Sequence, residues 1–168
     1  SKGSTQANYY DSGSFEDVAF AGLRPRLTEA LRVMNVISET ETCDMKISDP
    51  NSNLAFGSLI RCSVSRIDNK LSQKNGVDTY ACTGSLITKS FLEIPAIIDN
   101  CTNRYLTDLP NSLKAVFLLG NSDLYVENCM AILEKLFQSD FKKINSMAVF
   151  ADGKLWIYLA HPSGLNGH

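Results

Sequence analysis

Apolar positions in this chain recur with two different periods. Over residues 25–36, Leu27, Ala30, Leu31 and Met34 return at helical spacing behind Pro25, which a first helical turn tolerates, so the pattern predicts an amphipathic helix. Ile94, Ile97, Ile98, Cys101 and Tyr105 predict a second helix over residues 92–106, with Cys101 on its buried face. A third helix, carrying Val126, Cys129, Met130, Leu133 and Phe137 on one face, follows Ser122, a residue type suited to cap it. Other apolar runs are short and unbroken, as buried strands are: LAFGSLIRC at 54–62, softened by Gly57 and Ser58, and KAVFLLG at 114–120. MAVFADGKLWIYLAH sets Asp152 and Gly153 between two apolar runs, which predicts a hairpin whose second arm is the last strand. SKGSTQANYYDSGSF, ISETETCDMKISDPNSN and NGVDTYACTGS lack such periodicity and read as loops.

Strand, long crossover, strand, helix, strand is the order of an α/β sandwich with a largely parallel sheet. A length of 168 residues fits one domain, 1–168, with one core. In such sheets the functional crevice lies beyond the carboxyl ends of the strands. Those ends are Ser58–Arg66, Gly120–Asp123 and His161–His168, so the histidine-bearing AHPSGLNGH segment is expected beside Asn121 and the basic stretch.

Charge and cysteines narrow the picture. A net charge of −2 argues against a surface built wholly for polyanions. Locally, RCSVSRIDNKLSQK carries Arg61, Arg66, Lys70 and Lys74 against Asp68 alone, as either a solvated loop or a phosphate-tracking one. Cysteines at 43, 62, 82, 101 and 129 form no CxxC pair, which points to neither a disulfide framework nor a zinc ribbon and fits a reducing cytoplasm. The apolar runs are too short to cross a bilayer, so no membrane partner is expected. A monomer is expected.

HPSGL, a histidine after an apolar strand with leucine at the fifth position, resembles the second signature of the uracil-DNA glycosylase superfamily. FAGLRPRLTEALRVMNV is similar to the family's PFVG-type turn and following helix. LAFGSLIRCS resembles a strand of the iron-sulfur branch that runs into VKCRP. IIDNCTNRYLTDLPNSLKAVFLLGNSD is similar to that branch's cysteine-bearing helix, YL pair and PKVIVxLG strand. The four stand in the family's order between residues 20 and 165.

The resemblance implies a three-layer αβα sandwich around a largely parallel four-stranded sheet, the first strand lying upstream of Ser1, in a domain lacking N-terminal and C-terminal pieces. It implies an enzyme of base-excision repair that flips a damaged base, uracil first, out of single- or double-stranded DNA and cleaves its N-glycosidic bond. His161 would donate to the uracil O2 as charge gathers on the leaving base. Phe20 would stack on the extruded base, and Ser58 would read its edge. Ser163 would hold the adjacent phosphate, and Leu165 would fill the vacated stack. Gly164, Asn121, Arg61 and Arg66 complete the expected DNA contacts. Structural alternatives stand beside these roles: a histidine bonding a loop carbonyl, a core phenylalanine beside Val18, an exposed loop leucine. His168 carries no assigned role.

The chain departs from the family in three places. The Gly-x-Asp-Pro-like or Gly-Glu-x-Pro-like loop that handles the attacking water is absent, and Asp49–Pro50 lacks the preceding apolar strand and glycine, so that loop is expected upstream of Ser1. Ser58 stands where many members have asparagine; a hydroxyl discriminates less than a bidentate amide, which opens the pocket to deaminated purines. Cys62 and Cys101 match two of the four ligands of an iron-sulfur cluster, but the segment between them is longer than in that branch and Cys101 faces the core, so buried thiols are the expectation and no metal ligands are assigned. Two other classes compete: a non-catalytic nucleic-acid-binding relative, and an unrelated α/β domain binding a nucleotide, for which no GxGxxG or GxxxxGK[ST] stretch exists.

Overall fold

The computed structural model of the chain describes residues 20, 22–61, 65–81 and 86–162. The chain divides into two compact units, Ser1–Gly57 with Pro162–His168, and Ser58–His161.

In the first unit, the Leu23 N–H donates to the Phe20 carbonyl at 2.9 Å and leads into α1, Arg24–Val33, with Pro25 in its first turn. Leu27, Thr28 and Leu31 form its buried stripe, while Val33 is exposed. The helix ends one turn earlier than the apolar spacing predicts, because Asn35 adopts φ 55° and its N–H folds back to the Arg32 carbonyl at 2.8 Å. The polar connection that follows holds a short helix, α2, Cys43–Ser48, with the Thr42 hydroxyl accepting from the Met45 N–H at 3.2 Å. The Cys43 N–H donates to the Thr28 hydroxyl at 2.9 Å and joins the two helices through a buried bond.

The second unit holds the sheet. A small antiparallel pair, β1 (Arg66–Ile67) with β2 (Tyr80–Ala81), encloses α3, Asn69–Asn75, which Asp68 caps by accepting from Lys70 and Leu71. Next come α4, Leu86–Glu93, and α5, Pro95–Tyr105. The predicted helix over 92–106 starts later because Pro95 pushes Ile94 out of helical geometry, to φ −138° and ψ 50°. Ile98 and Cys101 are buried as their spacing predicts.

β3 is Ala115–Leu119 and is followed by α6, Asp123–Phe137, whose buried face carries Val126, Cys129, Met130 and Leu133. A short 3-10 turn leads to β4 (Lys142–Asn145), β5 (Ala148–Ala151) and β6 (Lys154–Leu159). The Asp152–Gly153 hairpin forms as predicted, with φ 52° and 67° at its two central residues, the left-handed pair a type I′ turn requires. Lys154 locks that turn from a buried position, donating from Nζ to the Asp152 carbonyl at 2.9 Å and to its carboxylate at 2.5 Å.

The fold is mixed α/β, with four strands in the order β3-β6-β5-β4. β3 and β6 are parallel, and the other two pairings are antiparallel. The expectation of a largely parallel sheet is corrected here: among the described residues the sheet is mostly antiparallel. Two things account for it. The segment 54–61 forms no strand; its Leu59 and Ile60 pack against the core without joining a ladder, and Gly57 and Ser58 interrupt the run. In addition, KKIN at 142–145, which has no apolar alternation, supplies an exposed edge strand through hairpin pairing with β5.

One sheet face packs on α6 with Val149, Ala151, Trp156 and Tyr158, and Phe91 and Ile98 close the cluster. β6 alternates buried and half-buried residues along its length, and the Trp156 indole N–H donates to the Ala151 carbonyl at 3.0 Å. No helix among the described residues is long and apolar enough to cross a membrane.

Candidate functional site

The carboxyl ends of the two parallel strands stand side by side. The Gly120 N–H donates to the Leu159 carbonyl at 2.7 Å, extending the ladder one residue beyond β3. Gly120–Asn121–Ser122 therefore leaves the sheet alongside Leu159–Ala160–His161. Asn121 and Ser122 are exposed and His161 is half-buried. Ser122 stands at the N-cap of α6 in extended geometry, its carbonyl accepting from the Val126 N–H at 3.0 Å and its hydroxyl making no capping bond. One amide, one hydroxyl and one imidazole are thus carried by adjoining strand ends, a set able to donate to an anionic oxygen.

The floor beneath these strand ends is aromatic. A Cβ on Gly120 would meet the Tyr125 ring at 2.6 Å, so that ring lies directly against the glycine backbone. Tyr125 meets Tyr158 edge-on at 6.5 Å and Phe91 at 6.2 Å. The Tyr158 hydroxyl is buried and has no hydrogen-bond partner among the described residues. Burial raises both phenols above the usual tyrosine range and pushes the Cys129 thiol up to about 12, all three groups thus being held neutral.

Phe20 has φ 57°, unusual for a residue with a side chain, and its ring lies 5.5 Å from that of Phe56 at 59°. The predicted pocket phenylalanine is therefore half-buried in an aromatic pair, and its partner precedes Ser58 by two residues. Ser58 is exposed in a stretch without regular structure. Arg61 is exposed and lies over the Tyr105 ring, its Cζ 4.3 Å from the centroid. Arg66 pairs through its backbone with Ala81 in β1. Ser163, Gly164, Leu165 and His168 lie outside the described residues, as does Cys62.

Among the predicted site residues, the structure brings Asn121 beside His161. It links Phe20 to Phe56 and Arg61 to Tyr105. Two contributors went unseen in the sequence. Tyr125 was not among the helix positions singled out in the sequence, although the glycine at a strand end five residues earlier signalled a close approach. Arg104 was not singled out in the sequence, yet its guanidinium also lies near the Tyr105 ring, at 5.6 Å from the centroid.

Cys43, Cys101 and Cys129 are buried, and Cys101 is only 3% exposed on the packed face of α5. Among the described residues no three His, Cys, Asp or Glu side chains gather into a metal site. Of the two cysteines that the resemblance matches to cluster ligands, only Cys101 lies within the described residues. Comparison with protein-family models, with curated proteins and with solved structures returns no match for this chain.

Proposed function

We propose that the chain is a DNA glycosylase-like hydrolase that extrudes a damaged base, uracil first among the candidates, and cleaves its N-glycosidic bond. The observation that carries the reading is the Gly120 to Leu159 bond, which sets Asn121 and Ser122 beside the strand end from which His161 opens the HPSGL segment. As the bond from sugar to base breaks, its electron pair leaves with the base and negative charge gathers on the base oxygen. A His161 imidazole N–H donating there lowers the barrier by stabilising that charge. Water then adds its oxygen to the sugar carbon and releases its proton. Phe20 supplies the aromatic face for the extruded base, with Phe56 fixing its ring, while the Ser58 hydroxyl meets the base edge. Asn121, Arg61 and Arg66, with Ser163, Gly164 and Leu165, contact the DNA.

The same reading carries a three-layer sandwich in a single domain. Support comes from the sheet face opposite α6, where Phe117, Ile157 and Leu155 align across β3 and β6; an apolar sheet face is stable only beneath a second layer.

The test is base release from single- and double-stranded oligonucleotides containing uracil, hypoxanthine or xanthine. His161→Ala is expected to lower release on the order of a hundredfold or more, the scale of losing a preorganised donor. Its affinity for the same oligonucleotide should stay near that of the parent. Release from none of the three lesions by the full-length protein overturns the enzyme, and retained DNA binding in that case identifies a non-catalytic nucleic-acid-binding protein.

A further inference from the structure

Tyr105 ends α5 as a half-buried ring that holds two guanidinium groups at once, Arg61 at 4.3 Å and Arg104 at 5.6 Å from its centroid. Arg61 and Arg104 are both exposed. A guanidinium at the surface is often paired with a carboxylate. None serves here: the ion pairs among the described residues are Arg24–Asp44, Lys46–Glu41, Lys135–Asp99 and Lys154–Asp152. The one acid within α5, Asp99, is engaged by Lys135 at 2.9 Å. The ring face attracts the cations, limits their rotamers and leaves their outward N–H groups unspent.

We propose that Arg61 and Arg104, both held near the Tyr105 ring, form a clamp for the phosphodiester backbone of DNA. The clamp rests on the reading that this chain acts on DNA and adds to it two residues, Arg104 and Tyr105, that the sequence did not assign. A guanidinium held against an aromatic ring has fewer rotamers left to lose, and its fork of donors matches phosphate oxygens. Arg61 begins the basic stretch that continues through Lys70 and Lys74, both exposed on α3. A strand held at Tyr105 thus has further cations available within the same unit.

The experiment measures binding of a fluorescent undamaged oligonucleotide, single- and double-stranded, by anisotropy over a series of salt concentrations. Arg104→Gln is expected to weaken binding several-fold at low salt and to shrink the slope of log affinity against log salt by about 0.9 for duplex or about 0.7 for a single strand, one phosphate contact each. Arg104→Lys keeps the charge without the fork and should fall between. Tyr105→Leu should weaken binding with the net charge unchanged, which bulk electrostatics does not do. Lys142→Gln on β4 removes one charge from an exposed strand and should leave the affinity near the parent's. An Arg104→Gln protein with the parent's affinity and slope overturns the clamp, as does an equal loss from Lys142→Gln. If the parent binds no DNA, the clamp and the proposed function fall together. If it binds through Arg104 but releases no base, only the enzyme falls.

Discussion

A methyl group at position 120 has nowhere to go, because the Tyr125 ring occupies its place at 2.6 Å and is itself buried among Phe91 and Tyr158. The ring cannot swing aside without opening the core, so Gly120→Ala must push the β3 end away from β6 or displace α6. Overpacking of this kind costs about 1–3 kcal/mol. Thermal unfolding of Gly120→Ala should show a lowered Tm, and Tyr125→Leu in the same chain should recover part of the loss, the coupling that direct contact requires. An unchanged Tm would mean that the ring yields freely. The glycine also carries the bond to Leu159, so the same residue that admits the tyrosine sets Asn121 next to His161. That positioning would suffer before global stability failed, and base release, where present, is the more sensitive readout.

At the scale of elements, the α1–α2 pair is tied by Glu41 in its connecting loop. Its carboxylate accepts from Lys46 Nζ at 2.6 Å and from the Ser38 N–H at 2.8 Å, and these bonds, that to Lys46 first, lower its pKa from 4.5 to about 2. A carboxyl whose folded pKa is depressed stabilises the fold fully above its unfolded value and loses that contribution as pH falls through the folded one. The stabilisation from Glu41 is therefore present above pH 4.5 and disappears as pH falls toward about 2. Urea unfolding of parent and Glu41→Gln proteins across this window should show the parent's advantage shrinking steadily with acid. A constant difference would place the effect elsewhere. This loop also marks the limit of what periodicity reveals. α1, α6 and the Asp152–Gly153 hairpin were legible because long apolar stripes and a left-handed turn pair have few alternative conformations. α2 was hidden in a polar stretch: its stability comes from the Thr42 cap and the Thr28–Cys43 bond, neither of which leaves a periodic trace. The clamp was half legible, since Arg61 stood out in a charge run while Arg104 becomes informative only when folding brings both guanidinium groups to one ring.

Across the whole molecule, sheet direction was the least legible property, because a fully apolar run such as AVFLL is compatible with parallel or antiparallel neighbours and its pairing is settled by distant segments. What the apolar runs did specify is a shared interior. Trp156, the chain's one tryptophan, and Cys129 are 0% and 1% exposed in a cluster built from β5, β6 and α6. Neither can reach solvent without separating helix from sheet, and a domain core of this size ordinarily opens as one cooperative unit. The Cys129 thiol is doubly protected, by burial and by a pKa pushed up to about 12 that leaves little thiolate at neutral pH. In a Cys62→Ser, Cys82→Ser background, a thiol-reactive dye at pH 8 should leave Cys43, Cys101 and Cys129 unlabelled in the native protein. Along a urea titration, labelling of Cys129 and the red shift of Trp156 emission should share one midpoint. A Cys129 that reacts well before the tryptophan signal moves would show α6 detaching alone, and with it the support that Tyr125 gives to the Gly120 strand end.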